Sequence, residues 1–233
     1  MISVIIPVYN QAKKLLLTLK SLAGQSYSDY EVIIVNDGST DGVEKVFSDY
    51  YAAMSASQAY LFLNQKHAGA PAARNRGLKA AKGEYLFFCD ADAVLEKSAL
   101  ETMLKALSDN LSVSYVYSSF KWGRKLFRLG EFDPEKLKRQ PYIHTMSLIR
   151  RVDFPASGWD ENLKKFQDWD LWLTFLEEGK IGLWLPKTLF TIAPGGRISA
   201  WLPKFAYRLL PLLPAVRKYK EALAIVCNKH GLS

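Results

Sequence analysis

Three short polar clusters each follow an apolar run: Tyr9-Asn10, Asn36-Asp37-Gly38-Ser39 and Asp90-Ala91-Asp92. The carboxylates of Asp90 and Asp92 offer the oxygen donors that hard divalent cations such as Mg2+ or Mn2+ take. Arg74 sits in Ala72-Ala73-Arg74-Asn75-Arg76-Gly77, where small residues let backbone approach a ligand and the guanidinium supplies fixed positive charge for a phosphate. Tyr9 offers an aromatic face at a strand end. Asp168, at the start of a helical pattern, offers a carboxylate able to take a proton. A cation site, an anion site, a stacking face and a base are the parts needed to displace a diphosphate leaving group. Each also has a plainer use: Asp-Gly-Ser as a turn and helix cap, Tyr9 as a turn residue, Arg76 and Lys79 as a solvated basic helix face, Asp170 as charge complementing a helix N-terminus.

The elements that must position these residues are legible as patterns. Apolar runs at Val4 to Ile6, Glu31 to Val35, Tyr60 to Leu63 and Tyr85 to Cys89 alternate with helical patterns. Leu15, Leu19 and Leu22 recur at helical spacing after Asn10, which is expected to cap that helix, and Val43, Val46, Phe47 and Tyr50 do the same further on. This rhythm predicts βαβ units in an α/β fold with a mostly parallel, doubly wound sheet, because runs without polar alternation suit strands covered on both faces. In such sheets ligands bind outside the carboxyl ends of the strands, where the three polar clusters fall. From about residue 112 the pattern turns aromatic and less regular, through Val113 to Tyr117 and Tyr142 to Ile149, before a helix over Asp168 to Glu178 ended by Gly179. Two residues along a helix is about 200°, so Asp170 should face away from whatever Asp168 faces. The expected organisation is a catalytic domain over 1–194, with a nucleotide-binding half (1–111) and a smaller mixed acceptor half (112–194). A basic, aromatic tail over 195–233 follows the Pro194-Gly195-Gly196 break.

With 233 residues, about half of them apolar, one well-buried core is expected. Cys89 and Cys227 match no ligand or redox spacing, which argues against a disulfide scaffold or zinc site and for a reducing, cytosolic setting. The first residues run directly into a strand without a basic leader or apolar signal region, so secretion is not expected. Much of the net charge of +8 lies near the end of the chain, where Lys204, Arg208, Arg217, Lys218, Lys220 and Lys229 face only Glu221.

In order and spacing these residues resemble the family 2 glycosyltransferases of the GT-A fold, from Ser3 to about Pro194. Ser3-Val4-Ile5-Ile6-Pro7-Val8-Tyr9-Asn10 is similar to the family's first strand and loop, and the resemblance assigns Pro7 and Tyr9 to the nucleotide base. Asn36-Asp37-Gly38-Ser39 resembles its Asp-Asp-Gly-Ser signature and gives Asp37 a hydrogen bond to the base; Asn36 keeps an acceptor but loses the charge. His67-Ala68-Gly69 with the 72–77 segment looks like the helix beneath the nucleotide and implies Arg74 near the diphosphate. Asp90-Ala91-Asp92 resembles the Asp-x-Asp motif, with Asp92 the principal ligand of Mn2+ or Mg2+ and Asp90 a ribose contact or supporting ligand. Gly158-Trp159-Asp160-Glu161 and Gln167-Asp168 resemble the Gly-Phe-Asp-Glu segment and the Glu-Asp pair, which makes Asp168 the catalytic base. Trp159 and Asp160 are the expected acceptor or sugar contacts. Gln167 stands where the family has Glu, removing a charge that could raise the base pKa. Arg197 falls where relatives close a basic residue over the donor.

The resemblance implies an inverting hexosyl-type transferase that takes a sugar from a nucleotide diphosphate sugar, a UDP-sugar favoured. Its acceptor is the hydroxyl of a glycan or lipid-linked glycan, in polysaccharide, glycolipid or cell-envelope synthesis. The alternative is a non-catalytic sugar-nucleotide-binding or membrane-surface adaptor that keeps the fold. A nucleotidyltransferase would need a glycine-rich phosphate loop after the first strand, which Val8-Tyr9-Asn10-Gln11 does not supply. Nucleic acid is not an expected partner, since the tail cations lie in a proline-broken aromatic stretch. Residues 200–226 contain no uninterrupted run near the ~20 apolar residues of a spanning helix. That tail suits either an anionic membrane surface, with the protein peripheral at its cytoplasmic face, or packing on the domain. His144 and His230 carry no ligand spacing and are expected to be structural or solvent-exposed.

Overall fold

The central strands are those whose sequences lack polar alternation. In the computed structural model, which describes residues 1–54, 58–194 and 213–232, β1 (Ile2–Val8) lies parallel to β2 (Tyr30–Asn36) on one side and to β4 (Tyr85–Phe88) on the other. β3 (Ala59–Asn64) adds in parallel outside β2. Every residue of β2 is buried, as expected of a strand covered on both faces. The sheet continues into the second half through β8 (Leu148–Arg150), β6 (Tyr115–Trp122), β9 (Gly182–Ile192) and β5 (Ala93–Leu95), while β7 (Lys125–Phe127) forms a hairpin with β6. β8 runs antiparallel to β4 and β6, β9 parallel to β6, and β5 antiparallel to β9. A single nine-stranded sheet therefore joins both halves, parallel where βαβ units build it and mixed beyond residue 112.

Helices α1 (Ala12–Ala23), α2 (Val43–Ala52), α3 (Ala70–Ala80) and α4 (Ala99–Asp109) make the crossovers. Leu15, Leu19 and Leu22 of α1 are fully buried, as their spacing predicts. The expected Asn10 cap is corrected. Asn10 sits at φ 52° and its side-chain oxygen accepts from Thr40 N at 2.8 Å, while the first helical amide, Ala12 N, donates to Asp41 Oδ2 at 2.8 Å. α3 packs on β1 and β2, and Gly77 is the reason it can: a Cβ there would stand 2.4 Å from Ile5 Cγ2.

In the second half, α5 (Pro134–Arg139) packs on α6 (Gln167–Glu177). Tyr115, Trp172 and Phe175 form the centre of the core there, with the Tyr115 and Trp172 rings stacked at 4.4 Å. Part of the expected tail is the sixteen-residue helix α7 (Pro214–Lys229), whose Val216 and Val226 are buried. No described helix is long and apolar enough to cross a membrane. Arg197 lies outside the described residues.

Candidate active site

The carboxyl ends of β1, β2 and β4 bring the predicted clusters to one edge of the sheet, and the links between them can be followed by contact. The turn from β4 to β5 carries Asp90 and Asp92. Asp92 is 8 % exposed, and its Oδ2 lies 3.4 Å from Lys14 Nζ on α1. Burial and the neighbouring Asp90 charge push its carboxyl above the ordinary carboxylate range, with Lys14 opposing. Asp90 Oδ1 lies 3.5 Å from Arg74 Nη2, and its Oδ2 lies 3.8 Å from His144 Nε2.

Arg74 is the hub. Its Nη1 donates to Gln167 Oε1 at 3.3 Å, and its guanidinium stacks over the Trp159 ring at 4.6 Å. The buried Arg74 Nε has no hydrogen-bond partner. Burial lowers the guanidinium pKa, while Asp90 and Asp168 oppose that shift. Asn75 fixes Trp159 from both sides: its Oδ1 accepts from Trp159 N at 2.9 Å and its Nδ2 donates to Trp159 O at 2.9 Å. Gly158, at φ +68°, makes room, since a Cβ would lie 2.7 Å from Asn75 Oδ1.

Asp168 is the second residue of α6, and its Oδ1 accepts from Trp169 N at 2.9 Å. Burial raises its pKa, with the charges of His144 and Arg74 opposing. Arg74 links the two regions by contact, lying 3.5 Å from Asp90 and donating to Gln167, the residue beside Asp168, so the predicted base position and the predicted cation motif meet at one arginine. His144, expected to be structural or exposed, is buried between Phe120 and Phe190, with ring centroids at 4.7 and 5.3 Å, and faces Asp90. Its Nδ1 accepts from Met146 N at 3.1 Å, which leaves the proton of the neutral ring on Nε2. Burial lowers its pKa. Nothing in the spacing around residue 144 marks it; only the sheet brings it to the carboxylates.

On the β2 side, Asp37 is 2 % exposed. Its Oδ1 accepts from Gln65 Nε2 at 2.7 Å and Ala68 N at 2.8 Å; its Oδ2 accepts from Gly69 N at 2.9 Å and lies 2.8 Å from His67 Nδ1. It thus braces the loop that leads into α3. Tyr9 stacks on His67 with centroids 4.0 Å apart. Pro7 sits two residues before Tyr9, near the end of β1. Asn36 holds the turn, donating to Asn64 Oδ1 at 2.8 Å and accepting from Ser39 N at 3.0 Å.

One expectation is corrected. Trp159 is 2 % exposed and supports Arg74 from beneath, so it has no free face for a sugar. Asp160 accepts from Lys229 Nζ at 2.9 Å and from Asn162 N at 3.0 Å, and the Lys229 hydrogen bond holds its carboxyl below the usual range. It ties the 158–162 loop to α7. As expected from the helical angle, Asp170 faces elsewhere than Asp168: it is 4 % exposed and meets Lys229 at 2.8 Å and His230 at 2.9 Å.

Among the described residues no group of three or more His, Cys, Asp or Glu is arranged to hold a metal by itself. The donor set nevertheless fits a hard cation completed by substrate. Asp90 and Asp92 supply oxygens, the Asp90 charge adds to burial in raising the proton affinity of Asp92, and remaining positions are left to phosphates and water.

A parallel sheet with charged loops at its carboxyl edge, extended by a mixed region, is the architecture of a GT-A type α/β protein. The chain belongs to glycosyl transferase family 2, whose family model matches residues 3–156. It is 30 % identical over 196 residues to an uncharacterised glycosyltransferase of Rickettsia conorii, covering 78 % of this chain and 31 % of that protein. It is 28 % identical over 190 residues to the chondroitin synthase of Escherichia coli, covering 77 % and 27 %. The chain thus spans about a third or less of the length of these relatives. Among solved structures it resembles S. aureus TarS 1–349 in complex with UDP-GlcNAc (TM-score 0.71, 21 % identity, 98 % of this chain and 72 % of that one). It also resembles the mannosyltransferase PcManGT from Pyrobaculum calidifontis in complex with GDP-Man and Mn2+ (TM-score 0.70, 18 % identity, 97 % and 75 %). At these identities the two structures establish the fold alone.

Proposed function

We propose that this chain is an inverting glycosyltransferase that moves a sugar from a nucleoside diphosphate, with UDP favoured, to a hydroxyl of a glycan or lipid-linked glycan. The observation that carries this reading is the reach of Arg74, which lies 3.5 Å from Asp90 and donates to Gln167, the residue beside Asp168. Asp168 takes the proton of the acceptor hydroxyl as its oxygen bonds to the anomeric carbon from the face opposite the departing diphosphate. One carboxylate suffices, with no covalent sugar intermediate. Burial makes Asp168 a better base than an exposed aspartate.

Arg74 is held in place by Gln167, Asp90 and Trp159 and offers its fixed charge to the diphosphate. Its unpartnered Nε is a buried donor of the kind an anion satisfies. Asp92 and Asp90 would hold Mn2+ or Mg2+, which when bound neutralises charge building on the leaving group. Tyr9 offers the stacking face for the base. The Asp37 carboxylate already accepts from Gln65, Ala68 and Gly69 and has His67 beside it, so a base hydrogen bond to it would compete with these donors. Gln167 in place of the family's Glu would suit the non-catalytic adaptor, but here that amide positions Arg74, which an active site also requires.

Membrane association, a cytoplasmic location and closure by Arg197 remain parts of the same proposal. Screening nucleotide sugars for Mn2+-dependent nucleoside diphosphate release tests the transfer reading. Release by the wild type that disappears in Asp168→Asn supports it. Metal-dependent nucleotide binding without release for any donor and acceptor offered supports the adaptor.

A further inference from the structure

The hairpin of β6 and β7 carries a charge pattern that the transfer reading leaves unused. Lys121, Arg124, Lys125 and Arg128 are all exposed, and no Asp or Glu occurs between residues 121 and 130. Among the described residues none of the four cations has a carboxylate within 4.0 Å. Lys125 Nζ lies 4.9 Å over the Phe127 ring. Residues 195–212 also contain no Asp or Glu, so they bring no neutralising charge.

The hairpin is wired to the reacting edge. Gly123 N donates to Ile192 O at 2.9 Å, and the residue after β9, Ala193, donates through its N to Asp92 O at 2.9 Å. Phe120, at the root of the hairpin, stacks on Phe127 at 5.0 Å and meets His144, which faces Asp90. An unpaired basic ribbon two backbone links from the Asp-x-Asp turn raises the local concentration of anions beside the site.

We propose that the 121–128 hairpin is the landing surface for an anionic acceptor, a glycan bearing phosphate or carboxylate groups along its chain. This deepens the transferase reading and rests on it for the word acceptor. The surface composition favours a soluble polyanion over a lipid bilayer. Against four exposed cations the hairpin presents one large exposed apolar side chain, Leu126 at 42 %, whereas membrane-surface elements bury several bulky apolar groups.

The test is titration of the full chain with poly(glycerol phosphate), a hyaluronan octasaccharide and the neutral maltooctaose, at low and high salt. It is repeated with the quadruple variant K121A/R124A/K125A/R128A, whose changes are all on exposed side chains. The expected result is binding to at least one anionic polymer about tenfold or more tighter than to maltooctaose, weakened by salt and reduced about tenfold or more in the variant. The variant should keep wild-type affinity for UDP in the presence of Mn2+. Equal affinity for neutral and anionic glycans, or unchanged binding by the variant, overturns the proposal. So does hairpin-dependent sedimentation with phosphatidylglycerol vesicles when neither anionic glycan binds, which makes the surface a membrane contact. Loss of the transfer reading shows separately: a wild type that binds no nucleotide yet binds the polyanion through the hairpin keeps the site and removes only its role in acceptor capture.

Discussion

His230 Nε2 lies 2.9 Å from Asp170 Oδ1, joining the end of α7 to α6. The other ring nitrogen of His230, Nδ1, lies 2.7 Å from Glu177 Oε1, and the side chain is 2 % exposed. Carboxylates only accept, so satisfying both contacts requires a proton on each nitrogen, an imidazolium. Lys229 adds a bridge from Asp170 to Asp160, tying α6 to the loop that places Trp159 under Arg74.

This clamp predicts a pH dependence. Burial opposes the charged ring, but hydrogen bonds to Asp170 and Glu177 outweigh it and raise the His230 pKa above its ordinary value. A pKa raised by folding means that the stabilisation is complete below the unfolded value and is lost as pH rises through the folded one. His230→Ala should cost about 1–3 kcal/mol at acidic pH, with Lys229 still partnering Asp170. Urea denaturation should show the gap between wild type and variant narrowing at alkaline pH. A constant gap would mean that the ring acts by packing alone.

Asp168→Asn should lower kcat by ~10²–10⁴-fold, the usual worth of a positioned general base, because the amide cannot take the acceptor proton. The substitution is nearly isosteric and preserves the hydrogen bond from Trp169 N, so donor affinity measured by calorimetry should stay near wild type. Turnover within a few fold of wild type would remove Asp168 from the base position.

The Lys14 to Asp92 pair makes a prediction of opposite signs. Asp92→Ala should weaken Mn2+-dependent donor binding by about tenfold or more, since an oxygen ligand is lost. Lys14→Met should tighten Mn2+ binding, because the ammonium 3.4 Å from Asp92 competes for the same carboxylate. Titrating each variant with Mn2+ alone separates the two. Unchanged Mn2+ affinity in both would place the cation elsewhere.

How much of this could be read beforehand depended on range. The βαβ half was legible because its determinants are local: unbroken apolar strands, leucines at helical spacing, and polar residues where the strands end. The motifs that hold Asp168 and Asp92 could be recognised because each has a fixed spacing. The partners that define them were not legible. Lys14, His144 and Gln65 meet Asp92, Asp90 and Asp37 across 78, 54 and 28 positions of sequence, and no periodicity encodes such contacts. Trp159 was misjudged for the same reason, since only the fold shows that Asn75 and Arg74 enclose it. The unpaired charge of the 121–128 hairpin likewise becomes visible only once the carboxylates that could have neutralised it are located.

Gly77→Ala reverses a common expectation. In a helix interior alanine is ordinarily better than glycine by about 1 kcal/mol. Here the added Cβ would stand 2.4 Å from Ile5 Cγ2 and 3.4 Å from Val35 Cγ2, both in fully buried side chains of the parallel strands. Accommodation requires α3 to lift from β1 and β2, at a cost of about 1–3 kcal/mol for overpacking. Because Arg74 lies one turn earlier on α3 and reaches Asp90 and Gln167 from there, the same shift should weaken nucleotide binding as well as lower the unfolding midpoint. Gly24→Ala, where a Cβ meets nothing closer than 3.6 Å, is the control that should leave nucleotide affinity unchanged. Equal nucleotide affinity in Gly77→Ala and wild type would show that Arg74 is held by its side-chain partners rather than by the seat of the helix.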